Sequence, residues 1–278
     1  MWLRHIEKEF QPDPGYMERQ TYILPNHREI LVNWLIYVQA LLKLLPETLF
    51  ITVNIIDRFL SKRELQSEKM LQLLGGAAML IACKFQEINP PTLSDFVAVM
   101  QGAWGAPDIL RMETKILTVL QFDLNYTPPS VFVENYSRAI HMSDPIVLAY
   151  TSLLLDVALL RLDFLRYRQS ELVICAMQLA FEQVRTLQEG RGHSFATEMA
   201  HLGVVIDREG FNIQKLNSCR ERLDHHRRNE HISPHPSIIK KYKATGLIQV
   251  PNQTQAQAQH DGQGRYVRSY PPHQHYAQ

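Results

Sequence analysis

Apolar residues recur along this chain at helical spacing almost from end to end. After Pro25-Asn26, the residues Ile30, Leu31, Trp34, Leu35, Val38 and Leu42 keep a 3.6-residue period. This predicts a helix over 27–43 with Asn26 as its N-cap. Pro46 and Glu47 suit the first turn of a second helix, whose stripe is Leu49, Phe50, Val53, Ile56 and Leu60. A third runs from a Ser67 cap to Gln86 and differs in kind, because Leu73–Cys83 is uncharged and apolar nearly all round. A helix with no polar face has to be enclosed by others. Gly75, Gly76, Ala77 and Ala78 let neighbours come close, at a propensity cost of about 1 kcal/mol per glycine. Asn89-Pro90-Pro91 stops this helix, and Thr92-Leu93-Ser94-Asp95 is a capping-box variant that opens a short one. Pro107 opens a fifth, with Ile109, Ile116 and Leu120 on one stripe, and Pro128-Pro129 closes the unit.

The same order then returns. Ser130–Ile140, Pro145–Leu160, a polar break at Arg166–Ser170, the apolar run Glu171–Phe181, Ser194–Leu202 and Asn212–His225 form a degenerate copy. Cys83 and Cys175 hold comparable positions in the two third helices. Two helical repeats of roughly 100 residues each, with no segment of strand period, predict an all-α protein. The expected organisation is an N-terminal helix and linker over 1–25, a first five-helix unit over 26–127 and a second over 128–230. A C-terminal extension with a short helix follows over 231–250. The remainder, 251–278, is rich in Gln, His, Tyr and Pro and holds no Leu, Ile, Phe, Met or Trp, so it reads as a disordered tail.

The bulk numbers narrow the classes. A chain of 278 residues that is 45% hydrophobic and 21% charged can bury one large or two small cores. A net charge of +1 supplies no general attraction for nucleic acid or an acidic membrane. Cys83, Cys175 and Cys219 lie far apart with no CxxC, which fits a reducing compartment better than a disulfide framework or a zinc site. Arg4, Glu7, Lys8 and Glu9 interrupt any apolar start, so no secretory leader is expected. The uncharged run Leu73–Cys83 falls far short of the ~20 residues of a membrane span. A soluble intracellular protein is the expectation.

Catalytic signatures are missing: there is no GxGxxG after a strand, no GxxxxGK[ST], no GxSxG and no HExxH. His225, His226, His231 and His235 sit in a polar, proline-broken segment and read as solvated side chains rather than metal ligands. The basic segment from Arg220 to Lys243 reads as a solvated helix end, with a phosphate patch as the alternative.

Two polar pairs interrupt otherwise apolar stripes. Lys84 ends the enclosed third helix, and Glu113 shares a face with Ile109, Ile116 and Leu120. Either they pair only to hold helices together, or they line a groove and offer hydrogen bonds to another chain, with Phe85 as its apolar anchor. Arg28 and Asp57 read as a buried ion pair fixing helix register, the alternative being a role at an interface.

The blocks HREILVNWLIYVQ, NIIDRFL, LQLLGGAAMLIACKFQEINPP and ILRMETKILTVLQFDL, preceded by GYMERQ and followed by SIIKKYK, resemble the cyclin box of an A/B-type (mitotic) cyclin over roughly residues 2–248. The resemblance implies two tandem five-helix cyclin folds that bind and activate a cyclin-dependent serine/threonine kinase as a heterodimer. It implies a role in G2/M progression, in nucleus and cytoplasm, with no catalysis, cofactor or metal of their own. Lys84 and Glu113 would hydrogen-bond the kinase backbone, while Ile81, Phe85, Leu117 and Leu124 would receive an apolar side chain of its mobile C helix. Trp2 matches an aromatic on a kinase-contacting helix, and Arg28 and Asp57 match the family's internal ion pair. A second family site is a hydrophobic patch that docks RxL-type motifs of substrates and inhibitors. Ile30, Trp34, Leu71 and Gln72 match it, whereas His27, Asn33 and Tyr37 stand where the family has a methionine and two acids. The implied patch keeps an apolar floor and loses the charges that hold the motif's arginine, so motifs led by an uncharged or aromatic residue are expected to suit it. The alternative class is a two-repeat transcription-initiation factor that grips DNA, which the near-neutral charge disfavours. Neither membrane nor direct nucleic-acid contact is expected.

Overall fold

A computed structural model describes residues 2–187, 195–228, 235–243 and 247. Among the described residues there are twelve α-helices and no strand. They are α1 (Trp2–Glu9), α2 (Pro25–Leu41), α3 (Pro46–Lys62), α4 (Met70–Gln86), α5 (Leu93–Val99) and α6 (Ala106–Val119), followed by α7 (Pro129–Ala139), α8 (Pro145–Leu160), α9 (Gln169–Leu187), α10 (Ala196–Glu209), α11 (Ile213–His226) and α12 (Pro236–Tyr242). Short 3-10 turns lie at Tyr16–Arg19 and Leu162–Arg166. Helices α2–α6 and α7–α11 are the two repeats, and in each the second and third helices pack most extensively on one another. No described helix is long and apolar enough to cross a membrane. The expected tail over 251–278 lies outside the described residues, as does half of the extension over 231–250.

Several helix ends fall where local chemistry puts them. Thr92 accepts the Asp95 N–H through its hydroxyl, and Asp95 returns a bond to the Thr92 N–H at 2.7 Å, closing the capping box of α5. Asp144 caps α8 and Asn212 caps α11. Two expectations are corrected. Asn26 does not cap α2: Leu24 is the extended N-cap residue and Pro25 is the first helical position, where its fixed φ is already suited to the helix. Ser67 accepts the Lys69 N–H at 3.2 Å in a turn before α4, which begins at Met70. Helix α10 also runs beyond Leu202 to Glu209, where Gly210 ends it in the left-handed region at φ 64°.

The enclosed helix of the first repeat has a reason for its glycines. A β-carbon on Gly75 would press on Leu31 of α2 at 2.7 Å, and one on Gly76 would overlap the Met100 methyl. Helix α4 is therefore buried from Leu73 to Cys83, between α2, α3, α5 and α6. Helix α3 is equally enclosed, from Thr48 to Leu60, although its sequence shows only an apolar stripe. Several of its polar groups are bonded inside: Thr52 bonds back to the Thr48 carbonyl at 2.6 Å, and Asn54 donates to the Phe10 carbonyl at 2.8 Å. Helix α1 lies against the second repeat, where Glu7 accepts bonds from the Ser170 hydroxyl and N–H at 2.7 and 3.0 Å.

Candidate docking surfaces

Lys84 comes directly after the buried run of α4, and Glu113 projects from the middle of α6, which packs beside it. The Lys84 Nζ meets the Glu113 Oε1 at 2.7 Å. The lysine side chain is 51% exposed and the glutamate 13%, so the carboxylate is set into the surface and the ammonium stands on it. An ammonium carries three donors and this contact takes one, which leaves hydrogen-bonding capacity facing water. Large apolar side chains stay in solvent in the same region: Phe85, Ile88 at 93% exposure and Phe122 at 71%. Phe122 lies in the turn after α6 in a left-handed conformation, φ 58°, one residue after Gln121 at φ 56°. Two successive non-glycine residues in that region is a costly turn, and it holds an aromatic outward.

A cavity of about 530 Å³ lies between Phe85, the residues Ile6, Glu9 and Phe10 of the α1 segment, and the strip Asp123 to Thr127. Of the other residues singled out from sequence, Leu117 and Leu124 are half-buried at the surface. Ile81 is buried in α4. Trp2 belongs to α1, and its side chain lies outside the described residues. Sequence patterning missed Ile88 and Phe122. Ile88 stands in a polar, proline-ended loop, and Phe122 owes its exposure to backbone geometry that no period encodes.

Arg28 and Asp57 are paired in the interior. The guanidinium donates Nε and Nη2 to the two carboxylate oxygens, each at 2.8 Å, and Tyr16 donates its hydroxyl to the same carboxylate at 2.8 Å. The remaining guanidinium nitrogen, Nη1, donates to the carbonyls of Leu159 and Leu160 at 3.1 and 3.0 Å, at the end of α8 in the other repeat. Burial alone would lower the arginine pKa, but Asp57 and then Tyr16 outweigh it, and the net shift is upward. The contact across the repeats was not readable from sequence, because its acceptors are main-chain atoms.

The second candidate surface runs along α2. Ile30, Tyr37 and Leu41 are exposed, Trp34 is half-buried, and the spacing of these four places them on one face. Leu71 beneath them is buried, and Gln72 beside it is half-buried. His27 accepts the Leu24 N–H through Nδ1 at 3.3 Å, and its Nε2 lies 3.8 Å from Glu68. Asn33 accepts the Ser237 N–H through Oδ1 at 3.3 Å, and Lys240 stands over the Tyr37 ring at 5.9 Å. Two of the three altered positions are thus engaged by α12, which crosses from α2 to α8.

Helix α12 is pinned from its other side. Ile238 and Tyr242 are buried, and buried Asp156 takes the Lys241 ammonium at 2.7 Å and the Tyr242 hydroxyl at 2.8 Å. At its start, His235 Nε2 meets Glu29 Oε1 at 2.9 Å, and Glu29 also takes Arg161 at 2.6 Å. Burial would raise the Glu29 pKa, but these two partners bring it below the usual carboxylate value. The reading of the histidines as solvated is corrected for His226 and His235, while His225 is exposed as expected. His226 and His235 are buried, the former with Nε2 3.4 Å from Asp163, because helices from distant parts of the chain close over them. His231 lies outside the described residues.

Comparison with known proteins agrees with this architecture. The cyclin N-terminal domain matches residues 1–125 and the cyclin C-terminal domain residues 127–256. The G2/mitotic-specific cyclin cdc13 of Schizosaccharomyces pombe is 40% identical over 191 residues, covering 69% of this chain and 38% of that protein. The G2/mitotic-specific cyclin-A of Hydra viridissima is 32% identical over 245 residues, covering 87% of this chain and 55% of that protein. The chain thus spans about two fifths to just over half the length of these two relatives. Among solved structures, a viral cyclin from herpesvirus saimiri superposes with a TM-score of 0.64 at 17% identity, covering 80% of this chain and 96% of that one. With two matched domains in order over an all-helical double repeat, the chain belongs to the cyclin family.

Proposed function

We propose that the protein is a non-catalytic regulatory subunit that binds and activates a cyclin-dependent serine/threonine kinase in mitotic control. The observation that carries this reading is the half-exposed Lys84–Glu113 pair beside Phe85, Ile88 and Phe122. Fixed charge next to exposed apolar area is what a specific protein contact needs: apolar anchors supply affinity, and a preset donor and acceptor fix register. The family resemblance names the occupant as the kinase segment leading into its mobile C helix, and relatives named as G2/mitotic-specific cyclins support the mitotic assignment. Activation then follows from selection. A surface that fits only the kinase conformation with its C-helix glutamate against the ATP-binding lysine raises the population of that conformation by its differential affinity.

Replacement of both members tests this. Lys84→Ala and Glu113→Ala each remove a charge-assisted hydrogen bond worth about 1.5–3 kcal/mol, which is roughly tenfold to 150-fold in kinase affinity. The double variant is expected to keep its helical content and melting temperature and to lose kinase activation. Activation at the wild-type level by the folded double variant would exclude this surface as the kinase site.

A further inference from the structure

Lys240 changes what the α2 surface can accept. The residues that the family resemblance points to, Asn33 and Tyr37, are not open to a peptide arginine: α12 occupies the first with the Ser237 N–H and places an ammonium over the second. The placement is firm, since neighbouring Lys241 and Tyr242 are tied to buried Asp156 and Ile238 is fully buried. Several other charged groups described around the surface have partners. Glu29 is held between Arg161 and His235, Lys241 is held by Asp156, and Glu68 at the far end lies beside His27. Lys240 is exposed and carries its charge over an aromatic ring rather than against a carboxylate. An approaching peptide therefore meets positive potential next to the apolar stripe of Ile30, Trp34 and Tyr37.

We infer that Lys240, brought to α2 by the C-terminal helix, makes this surface select acidic hydrophobic peptides in place of arginine-led ones. This rests on the reading of the α2 face as a peptide-docking patch and adds the residue that sets its charge preference. The geometry suits a short motif. Trp34 and Tyr37 are one helical turn apart, about 4.5 Å of rise, which an extended peptide spans in one or two residues. A leucine on the Ile30–Trp34 slot thus puts a carboxylate one or two residues away within reach of the ammonium.

The test uses the full chain and three synthetic peptides whose central leucine pair is flanked on both sides by Glu, by Gln or by Arg, titrated by fluorescence anisotropy. Wild type is expected to bind the Glu peptide about threefold to fivefold more tightly than the Gln peptide, and the Arg peptide more weakly still, as for a partly exposed ion pair. The preference shrinks as salt rises. Lys240→Glu is expected to invert the order of the Glu and Arg peptides, and Trp34→Ala to weaken all three alike. An unchanged order in Lys240→Glu overturns the assignment of Lys240. Equal binding of the three peptides to wild type overturns the charge preference and leaves the docking patch standing. No binding of any peptide to wild type overturns both.

Discussion

Asp163 shows what a side chain can gain from partners distant in sequence. It sits in the 3-10 turn after α8 and takes Arg222 at 3.0 Å and His226 at 3.4 Å, both from α11. Burial would raise its pKa, but hydrogen bonds from His226 and Arg222 outweigh it and hold the carboxyl at about 2, against an ordinary 3.8. A carboxylate whose folded pKa is depressed stabilises the fold above its unfolded value and loses that contribution as pH falls through the folded one. Asp163→Asn is accordingly expected to cost about 2 kcal/mol at pH 6. The gap from wild type should close as pH drops from 4 to 2, as followed by urea unfolding at each pH. A gap that persists undiminished near pH 2 would mean that the loss is one of shape rather than charge. Lys84, Glu113, Arg28 and Asp57 could be picked out from sequence because each breaks an apolar stripe. Asp163 stands in a polar turn, where one more carboxylate draws no notice.

At the scale of elements, periodicity located the helices well and their environments less well. Helix α4 is legible as enclosed because its surface is apolar in every direction. Helix α3 is just as deep, yet Thr48, Thr52, Asn54, Asp57 and Arg58 mimic a wet face. Only the folded structure supplies what buries them: hydrogen-bond partners for Thr48, Thr52, Asp57 and the Asn54 amide, and the Phe10 ring beneath the Arg58 guanidinium. Helix α12 was expected as a short helix, while its role as a clasp between α2 and α8 was hidden, since every contact it makes spans a long stretch of chain. Ending the chain at residue 234 removes Lys241 and Tyr242 from Asp156 and uncovers the groove that holds Ile238. That change is expected to cost about 3–5 kcal/mol, as when one side of a buried ion pair is removed. Adding Asp156→Asn to the shortened chain should recover part of the loss. Denaturant unfolding of the three proteins decides it: a shortened chain as stable as the parent would show that α12 only rests on the surface.

For the whole molecule the decisive joint is the Arg28 fork. Arg28→Ala strands Asp57 inside the first repeat and leaves two carbonyls of the second without their donor. The expected loss is about 3–5 kcal/mol. It should appear in both repeats together, as a lowered midpoint with one transition, when hydrogen exchange is followed in α4 and α9. Loss of protection confined to the first repeat would show the repeats to be energetically separate. The joint also has an asymmetry. On one side it depends on two particular side chains, Arg28 and Asp57. On the other it depends on main-chain oxygens, which any residue at positions 159 and 160 provides so long as α8 ends there. Sequence drift at positions 159 and 160 is therefore tolerated at this fork while drift at Arg28 or Asp57 is not, and a diverged relative's second repeat would still meet Arg28 there, with only the neighbouring Glu29–Arg161 pair asking for a particular side chain.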